Sequence, residues 1–518
     1  MDVLQLKAQS EELFSKRENI LDLWQQISDL FYPERGIFTV TRSLGTEYAD
    51  HLMSGFPSMA RRDLANSIAS MLRRDKWFHL GTSDGKIEED DAEAKRYLEW
   101  RRDRMYQLMY DRRTNFVVAA GNADHDYVAY GQSVLSVEVY QYQHLLIRTW
   151  HLKDCAWSQN ALQQVDTMHV RHKMRARDIE KWFPKCDERV GRMCREGKGL
   201  EEIDCEWAVY PIEDGQWMSV HWDRRFDKIM EERIIKVFPF VVPRWQTVTG
   251  SPYAYSPAVM TAFPDARLLQ AMTLTLLEAG EMAVRPPLIG VQDVLRSDVK
   301  YVSGGITWVS EEYDERTGDP LRPIKQDRGG FPAAFRIEDT VRAAIAESFF
   351  LPKLNLPIQG EMTAYEVQER IKEYVRNAYP IFSPTEYQYN APLCETINAV
   401  LEQNRAFGTY VPRALAGMAF DFKFESPIQD AHEREKVEMF RTAVQLLTEA
   451  VELDPDIVAV ADLKTAFKGA MSGMGSPAEW TRKKEEMESL IEQSHAMIQE
   501  QQQVEQLGQV AQAAKAAA

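Results

Sequence analysis

Residues 251–290 read SPYAYSPAVMTAFPDARLLQAMTLTLLEAGEMAVRPPLIG, and this stretch decides how the rest of the chain is understood. Ser256 is placed to cap a helix whose first residue is Pro257. Pro264 then restarts a helix carried by Leu268, Leu269, Met272, Leu276 and Met282, and Pro286 and Pro287 stop it. At 1.5 Å per residue the helix over 264–285 is predicted to be about 33 Å long. Beyond it, 288–335 breaks into short strand-like runs and Gly/Pro/Asp turns, among them SGGITWVSEEYDERTGDP at 303–320. A second helix follows over 336–350, with Ile337, Val341, Ile345 and Phe349 on one stripe. Two helices therefore flank a small β-rich excursion.

Downstream, LPKLNLPIQGEM at 351–362 has no period, and its prolines exclude regular pairing. Thr363-Ala364-Tyr365-Glu366 is a capping box opening a long helix. Pro380, Pro384 and Pro392 must kink or segment that helix before Gly408 ends it. FDFKFE at 420–425 alternates as a strand. Helices are predicted over 431–453, 456–470 and from Pro477 onward, and the low-complexity end at 499–518 is expected to fray.

Upstream, Leu6, Leu13, Ile20, Trp24, Ile27 and Leu30 form a helical stripe over 3–31, closed by Pro33. Further helices are predicted over 57–72, 90–110 and 115–130, with Trp77 and Phe78 in a loop or short strand between the first two. The period then changes to two at 133–140 and 145–149. Strands near 165–171, 207–210, 217–222 and 234–238 follow, with a short helix at 178–183 stopped by Pro184. The fold class is α+β, mostly helical: helices first, then a mostly antiparallel sheet.

With 518 residues, the chain can build more than one core. Its composition, 44% hydrophobic and 27% charged, is that of an ordinary soluble protein. No apolar run approaches the roughly 18 to 20 residues of a membrane span, and the start MDVLQLKAQSEELF carries charge where a signal peptide needs an apolar core. A cytoplasmic protein without membrane contact is expected. The cysteines Cys155, Cys186, Cys194, Cys205 and Cys394 are odd in number and lack zinc-ligand spacing, so they read as free structural thiols. The net charge of −17, with dispersed Lys and Arg, argues against tight gripping of DNA. Any DNA would slide past rather than be held.

Signals for catalysis are poor. Gly81-Thr82-Ser83-Asp84-Gly85-Lys86 resembles a phosphate loop but is one residue short, with Ile87 where Ser or Thr should follow the lysine. His125, His144, His151, His169, His172 and His221 lack ligand spacing, and His169 and His172 read as surface residues. The acidic run Glu88 to Asp91 reads as a solvated turn. No catalytic residue, metal site or cofactor is expected, and the chain does not read as an enzyme.

The order of these segments resembles the head-to-tail connecting, or portal, protein family of podoviruses, the short-tailed bacteriophages. The stretches that carry the resemblance are LWQQISDLFYPERG at 23–36, SGFPSMARRDLANSIASMLRRDKWFHL at 54–80 and the 251–290 segment. MTAYEVQERIKEYV at 362–375, FDFKFESPIQDA at 420–431 and the closing helices complete them. They run through nearly the whole chain. The loop at 351–362 departs from the pattern, being shorter and richer in proline.

The resemblance implies a ring, usually a dodecamer, whose subunit has wing, stem, clip, tunnel-loop and crown regions. On this chain the wing would take 1–255, the first stem helix 256–285, the clip 286–335 and the second stem helix 336–350. The tunnel loop would be 351–362, the continued wing with its kinked helix 363–426, and the crown 427–476. A C-terminal helix and low-complexity tail would fill 477–518. Lys353, Asn355 and Gln359 would meet passing double-stranded viral DNA without sequence preference. Trp308, Glu311, Glu312, Tyr313 and Asp314 would meet tail adaptors. A terminase motor on a separate chain, major capsid protein and scaffolding protein are the other implied partners. The implied location is the capsid vertex of the virion after assembly in the host cytoplasm. The rival readings are another virion structural protein, a tail adaptor or internal core protein, and a globular enzyme whose core happens to hold the two helices.

Overall fold

The computed structural model describes residues 2–43, 45–73, 76–82, 92–140, 144–290, 331–354, 383–424, 427–451 and 462–473, together with 295, 308, 310, 314, 316 and 321–323. It is mixed helix and strand, as the periodicities predict. Two compact units are each assembled from separated stretches of chain. One comprises Met1–Asn19, Ala65–Ser256 and Lys353–Ala518; the other comprises Ile20–Leu64 and Pro257–Pro352.

The predicted helix over 3–31 is two helices, α1 (Val3–Lys16) and α2 (Glu18–Phe31). Asp2 opens α1 by accepting the Val3 N–H at 2.7 Å, while Gln5 Oε1 accepts the Asp2 N–H at 3.0 Å. The break falls at Arg17, a buried cation whose Nη1 donates to the Leu152 carbonyl at 2.8 Å and whose Nη2 donates to that of Lys153. An arginine drawn inward to satisfy two carbonyls is a tertiary demand that a stripe of apolar residues does not reveal.

α3 (Phe56–Leu72), β1 (Phe78–Thr82), α4 (Ala92–Met109) and α5 (Phe116–Tyr130) follow near their predicted places. Gly81 and Thr82 of the phosphate-loop-like run lie in β1; its remaining residues and the acidic run lie outside the described residues. Then come β2 (Val134–Tyr140), β3 (His144–Trp150), β4 (Cys155–Gln159) and β5 (Val165–Arg175). Two short helices, α6 (Ala176–Trp182) and α7 (Glu188–Arg195), precede β6 (Glu202–Pro211), β7 (Trp217–Asp223) and β8 (Lys228–Ile235). β9 (Phe240–Val241), β10 (Gln246–Thr247) and β11 (Ala254–Tyr255) are brief.

β4 through β8 form one antiparallel sheet in sequential order, around fully buried Trp157, Trp207 and Trp222. A second sheet has the order β3-β2-β9. β4 and α7 are not among the predicted elements, and the strand predicted over 234–238 lies instead at 228–235. β8 is an edge strand, and its Glu231-Glu232-Arg233 run is the kind of charge that keeps an edge from pairing further. That same charge hides the alternation from a reading based on hydrophobicity.

α8 (Pro257–Val284) is one helix of 28 residues, about 42 Å at 1.5 Å per residue. Pro264 lies inside it rather than restarting it. A proline removes one hydrogen bond from a helix, and here Ala262, Ala266 and Leu269 are buried on the same helix and offset that loss. β12 (Leu288–Gly290) pairs antiparallel with β13 (Leu321–Pro323), and most of the excursion between them lies outside the described residues.

α9 (Phe331–Ser348) begins five residues before the predicted start and ends two residues early, because Phe350 takes φ +58°. Val341, Ile345 and Phe349 are buried, but Ile337 is exposed and Glu338 takes the inward position. A spacing of four drifts by about 40° per step on a helix of 3.6 residues per turn, so a stripe of four such positions cannot stay on one face.

The stretch expected to be irregular starts as a helical turn, α10 (Leu351–Leu354). Pro352 is tolerated there because a first turn needs no N–H from it. Residues 355–382, which include the capping box and Pro380, lie outside the described residues. A π turn (Glu386–Asn390) runs directly into α11 (Ala391–Gln403), so the chain stays helical across Pro384 and Pro392, which were expected to kink or segment it. β14 (Phe420–Phe424) pairs antiparallel with β1. α12 (Pro427–Val451) and α13 (Leu463–Gly473) are the last described elements.

Candidate channel and docking surfaces

The two long helices α8 and α9 pack along each other, and their side-chain contacts give their direction. Phe31 touches Phe263 and Phe349, with ring centroids 6.3 Å and 5.7 Å apart, while Thr273 donates to Glu338 at 3.3 Å. As one residue number rises the other falls, so the pair is antiparallel. β12 and β13 continue that pairing, and the excursion leaves and returns at the same end.

The root of the pair is fixed by two sets of side-chain contacts of the same unit. The Phe31 carbonyl at the end of α2 accepts from Ser58 Oγ at 2.8 Å and Arg61 Nε at 3.0 Å, and the Arg61 guanidinium lies 3.8 Å from the Tyr32 ring centroid. Gln270 on α8 reads the backbone of the turn before α3: its Oε1 accepts the N–H groups of Met53 and Ser54, and its Nε2 donates to the Ser54 carbonyl. The segments LWQQISDLFYPERG and SGFPSMARRDLANSIAS thus hold the base of α8.

Further along, apolar side chains face outward. Leu274, Leu277, Met282, Val284, Phe335 and Ile337 are exposed, Val284 at 81%. Exposed large apolar side chains gathered on one pair of helices are a candidate interaction surface. Of these, Met282 and Ile337 lie on the stripes read from helical period, which cannot say which partner covers a face.

Of the residues expected to meet tail proteins, Trp308 is 67% exposed, and Asp314 is exposed with its Oδ1 accepting the Arg316 N–H at 3.0 Å. Glu311, Glu312 and Tyr313 lie outside the described residues. Of those expected to meet DNA, Lys353 sits in the α10 turn, and Asn355 and Gln359 lie outside the described residues.

His169 and His172, expected at the surface, are not there. His169 is fully buried, its Nδ1 2.7 Å from Glu206 Oε1. His172 is partly buried 5.5 Å from the Trp150 ring, and burial holds its pKa below the ordinary histidine value. Three residues apart in a strand, they fall on opposite faces, and both faces of β5 are covered. Burial also pushes the Cys205 thiol up to about 12, and Cys394 well above its ordinary value, which keeps both as inert thiols. Among the described residues no group of His, Cys, Asp and Glu could hold a metal ion, and no helix is long and apolar enough to cross a membrane.

The chain resembles known phage proteins over most of its length. The family of bacteriophage head to tail connecting proteins matches residues 4–481. A probable portal protein of Bordetella phage BPP-1 is 25% identical over 455 residues, covering 81% of this chain and 78% of the relative. Among solved structures, a chain of the virion of a native gene transfer agent particle superposes with a TM-score of 0.36 at 11% identity, covering 76% of this chain and 86% of that one. A chain from the neck of the native particle computed with C12 symmetry gives 0.36 at 9% identity, covering 75% and 85%. A match spanning 4–481 takes in both units, the antiparallel helix pair and the excursion between its helices, and on that ground this chain belongs to the bacteriophage head-to-tail connecting protein family.

Proposed function

We propose that the protein is a portal subunit: one of a closed ring, usually of twelve, that forms the channel for viral DNA at the capsid vertex. The carrying observation is family membership across 4–481, joined to a helix pair that carries several exposed large apolar side chains. A ring would cover them by a heterologous contact, each subunit's helix pair meeting a different surface of the next. In this reading α8 and α9 are the stem, the excursion between them the clip, and the residues after Ser348 lead into the tunnel loop. The α+β sheets belong to the wing, and α12 and α13 to the crown.

With a net charge of −17, the subunit suits a conduit that DNA passes through without sticking. The reading assigns the protein a structural role and leaves nucleotide hydrolysis to a terminase motor. The clip would dock tail adaptors, and capsid and scaffolding proteins would surround the ring during assembly in the host cytoplasm.

Electron microscopy of the purified full chain tests this, with its mass measured in solution. A wide ring with a central hole is expected. Changing Leu274 and Leu277 to Glu should abolish the ring while leaving the circular-dichroism spectrum of the subunit unchanged. A wild-type chain that stays monomeric or dimeric at high concentration across salt conditions would refute the proposal.

A further inference from the structure

The turn Glu386–Asn390 is built with one residue more than an α-helix needs. The Ala391 N–H donates to the Glu386 carbonyl, five residues back, where an α-helix would use Tyr387. Prolines stand on both sides, Pro384 before the turn and Pro392 just after it. Pro392 has no N–H, so the Gln388 carbonyl cannot receive its α-helical bond and the α register is weakened at this point.

The inward face of the turn is gripped by one cation. Arg73 Nε donates to Asn390 Oδ1 at 3.1 Å, and the guanidinium lies 4.3 Å from the Tyr389 ring centroid. Its Nη1 meets both Asp124 oxygens, at 2.8 and 2.7 Å, with both side chains almost wholly buried. Tyr127, one turn beyond Asp124 on α5, stacks near Tyr389 with centroids 5.6 Å apart and receives the Thr385 hydroxyl at 3.5 Å. The grip is incomplete, since Asn390 Nδ2 is buried with no partner among the described residues. A buried polar group left unmatched disfavours the arrangement that leaves it so.

The outward face borders open space. Tyr387 and Gln388 are exposed and line a cleft of about 900 Å³ together with Trp217, Phe238, Phe240 and Trp245.

We infer that this π turn is a register hinge, held one residue long by the Arg73–Asp124 clamp and able to pass to the α register when the clamp opens. Passing from one to the other turns the chain on the N-terminal side of the hinge by about 100° and moves it by about 1.5 Å along the axis relative to α11. Arg73 is the positioning residue of the hinge. This inference concerns the subunit alone and stands or falls independently of ring formation.

The test uses the full chain, in whatever oligomeric state it takes, with two variants read by hydrogen exchange and high-resolution structure determination. Arg73→Met with Asp124→Leu removes both charges together, because removing only one would strand the other in the core. The expected outcome is an Ala391 N–H bonded to the Tyr387 carbonyl and amide exchange at Tyr389 and Asn390 about tenfold faster than in the parent. Deleting Tyr387 imposes the α register covalently and should give a folded chain with a continuous helix through 383–403. A double variant that folds and keeps the Glu386-to-Ala391 bond would overturn the hinge. So would a Tyr387 deletion that unfolds the body, since the α register would then be inaccessible to this chain.

Discussion

His169 Nδ1 lies 2.7 Å from Glu206 Oε1 with both side chains fully buried, joining β5 to β6 within the five-stranded sheet. Glu206 Oε2 also faces Arg171 and Arg224, each at 3.4 Å, while Arg171 reaches Ser10 on α1 at 2.9 Å. One carboxylate therefore ties the N-terminal helix to the sheet through side chains of β5 and of the turn after β7.

Burial would raise the Glu206 pKa, but the hydrogen bond and charge of His169, helped by Ser10 and Arg171, hold it below the ordinary carboxylate value. The unfolded chain binds this proton more readily than the folded one. The stabilisation is therefore present above the ordinary carboxylate pKa and fades as pH falls through the lower folded value. Glu206→Gln should cost about 3 kcal/mol at pH 7, because it leaves the partly buried Arg171 and Arg224 without their anion. It should also flatten the acid limb of the stability curve. Urea unfolding of parent and variant at pH 7 and pH 4 measures both effects; equal losses at the two pH values would contradict this account.

Gly131 closes α5 with φ +74°, and a Cβ there would lie 2.1 Å from the Tyr255 carbonyl carbon and 2.4 Å from the Ser256 nitrogen. Both are backbone atoms that cannot swing aside. Gly131→Ala should destabilise the protein by about 4 kcal/mol or more, through a steric clash added to a left-handed backbone. Chemical denaturation checks this, and a loss below about 1 kcal/mol would mean that the two backbones stand further apart.

Deleting residues 311–319 removes the charged and aromatic part of the excursion, including Asp314 but not the exposed Trp308. In the portal reading the ring should assemble normally, and tail attachment should fail. Counting tailed particles by electron microscopy decides it; normal tailing by the deletion would remove the docking role.

Replacing Lys353, Asn355 and Gln359 with Ala should leave assembly intact and reduce packaged or retained DNA. In the portal reading, one lysine per subunit would make a thin basic collar in an acidic tube, able to slow DNA but weakened by salt like any phosphate contact. Gel analysis of the DNA in purified heads reads this out. Full-length genomes at parental yield would exclude the contact role.

The sequence by itself determined the helix pair around the excursion, the change to a period of two after Ser133, the β14 strand and the family. These are local signals: helical and strand periods, capping residues and prolines act over a few residues and survive in most contexts. Tertiary structure alone decided where Arg17 breaks the first helix, that Pro264 stays inside α8, that charged β8 is a strand, and that His169 is buried beside Glu206. Each depends on a partner far away in sequence, such as the Leu152 carbonyl for Arg17 or the β6 carboxylate for His169. The gain from pairing a buried charge or covering an apolar face exists only once both partners are in place, so neither stretch of sequence carries it alone.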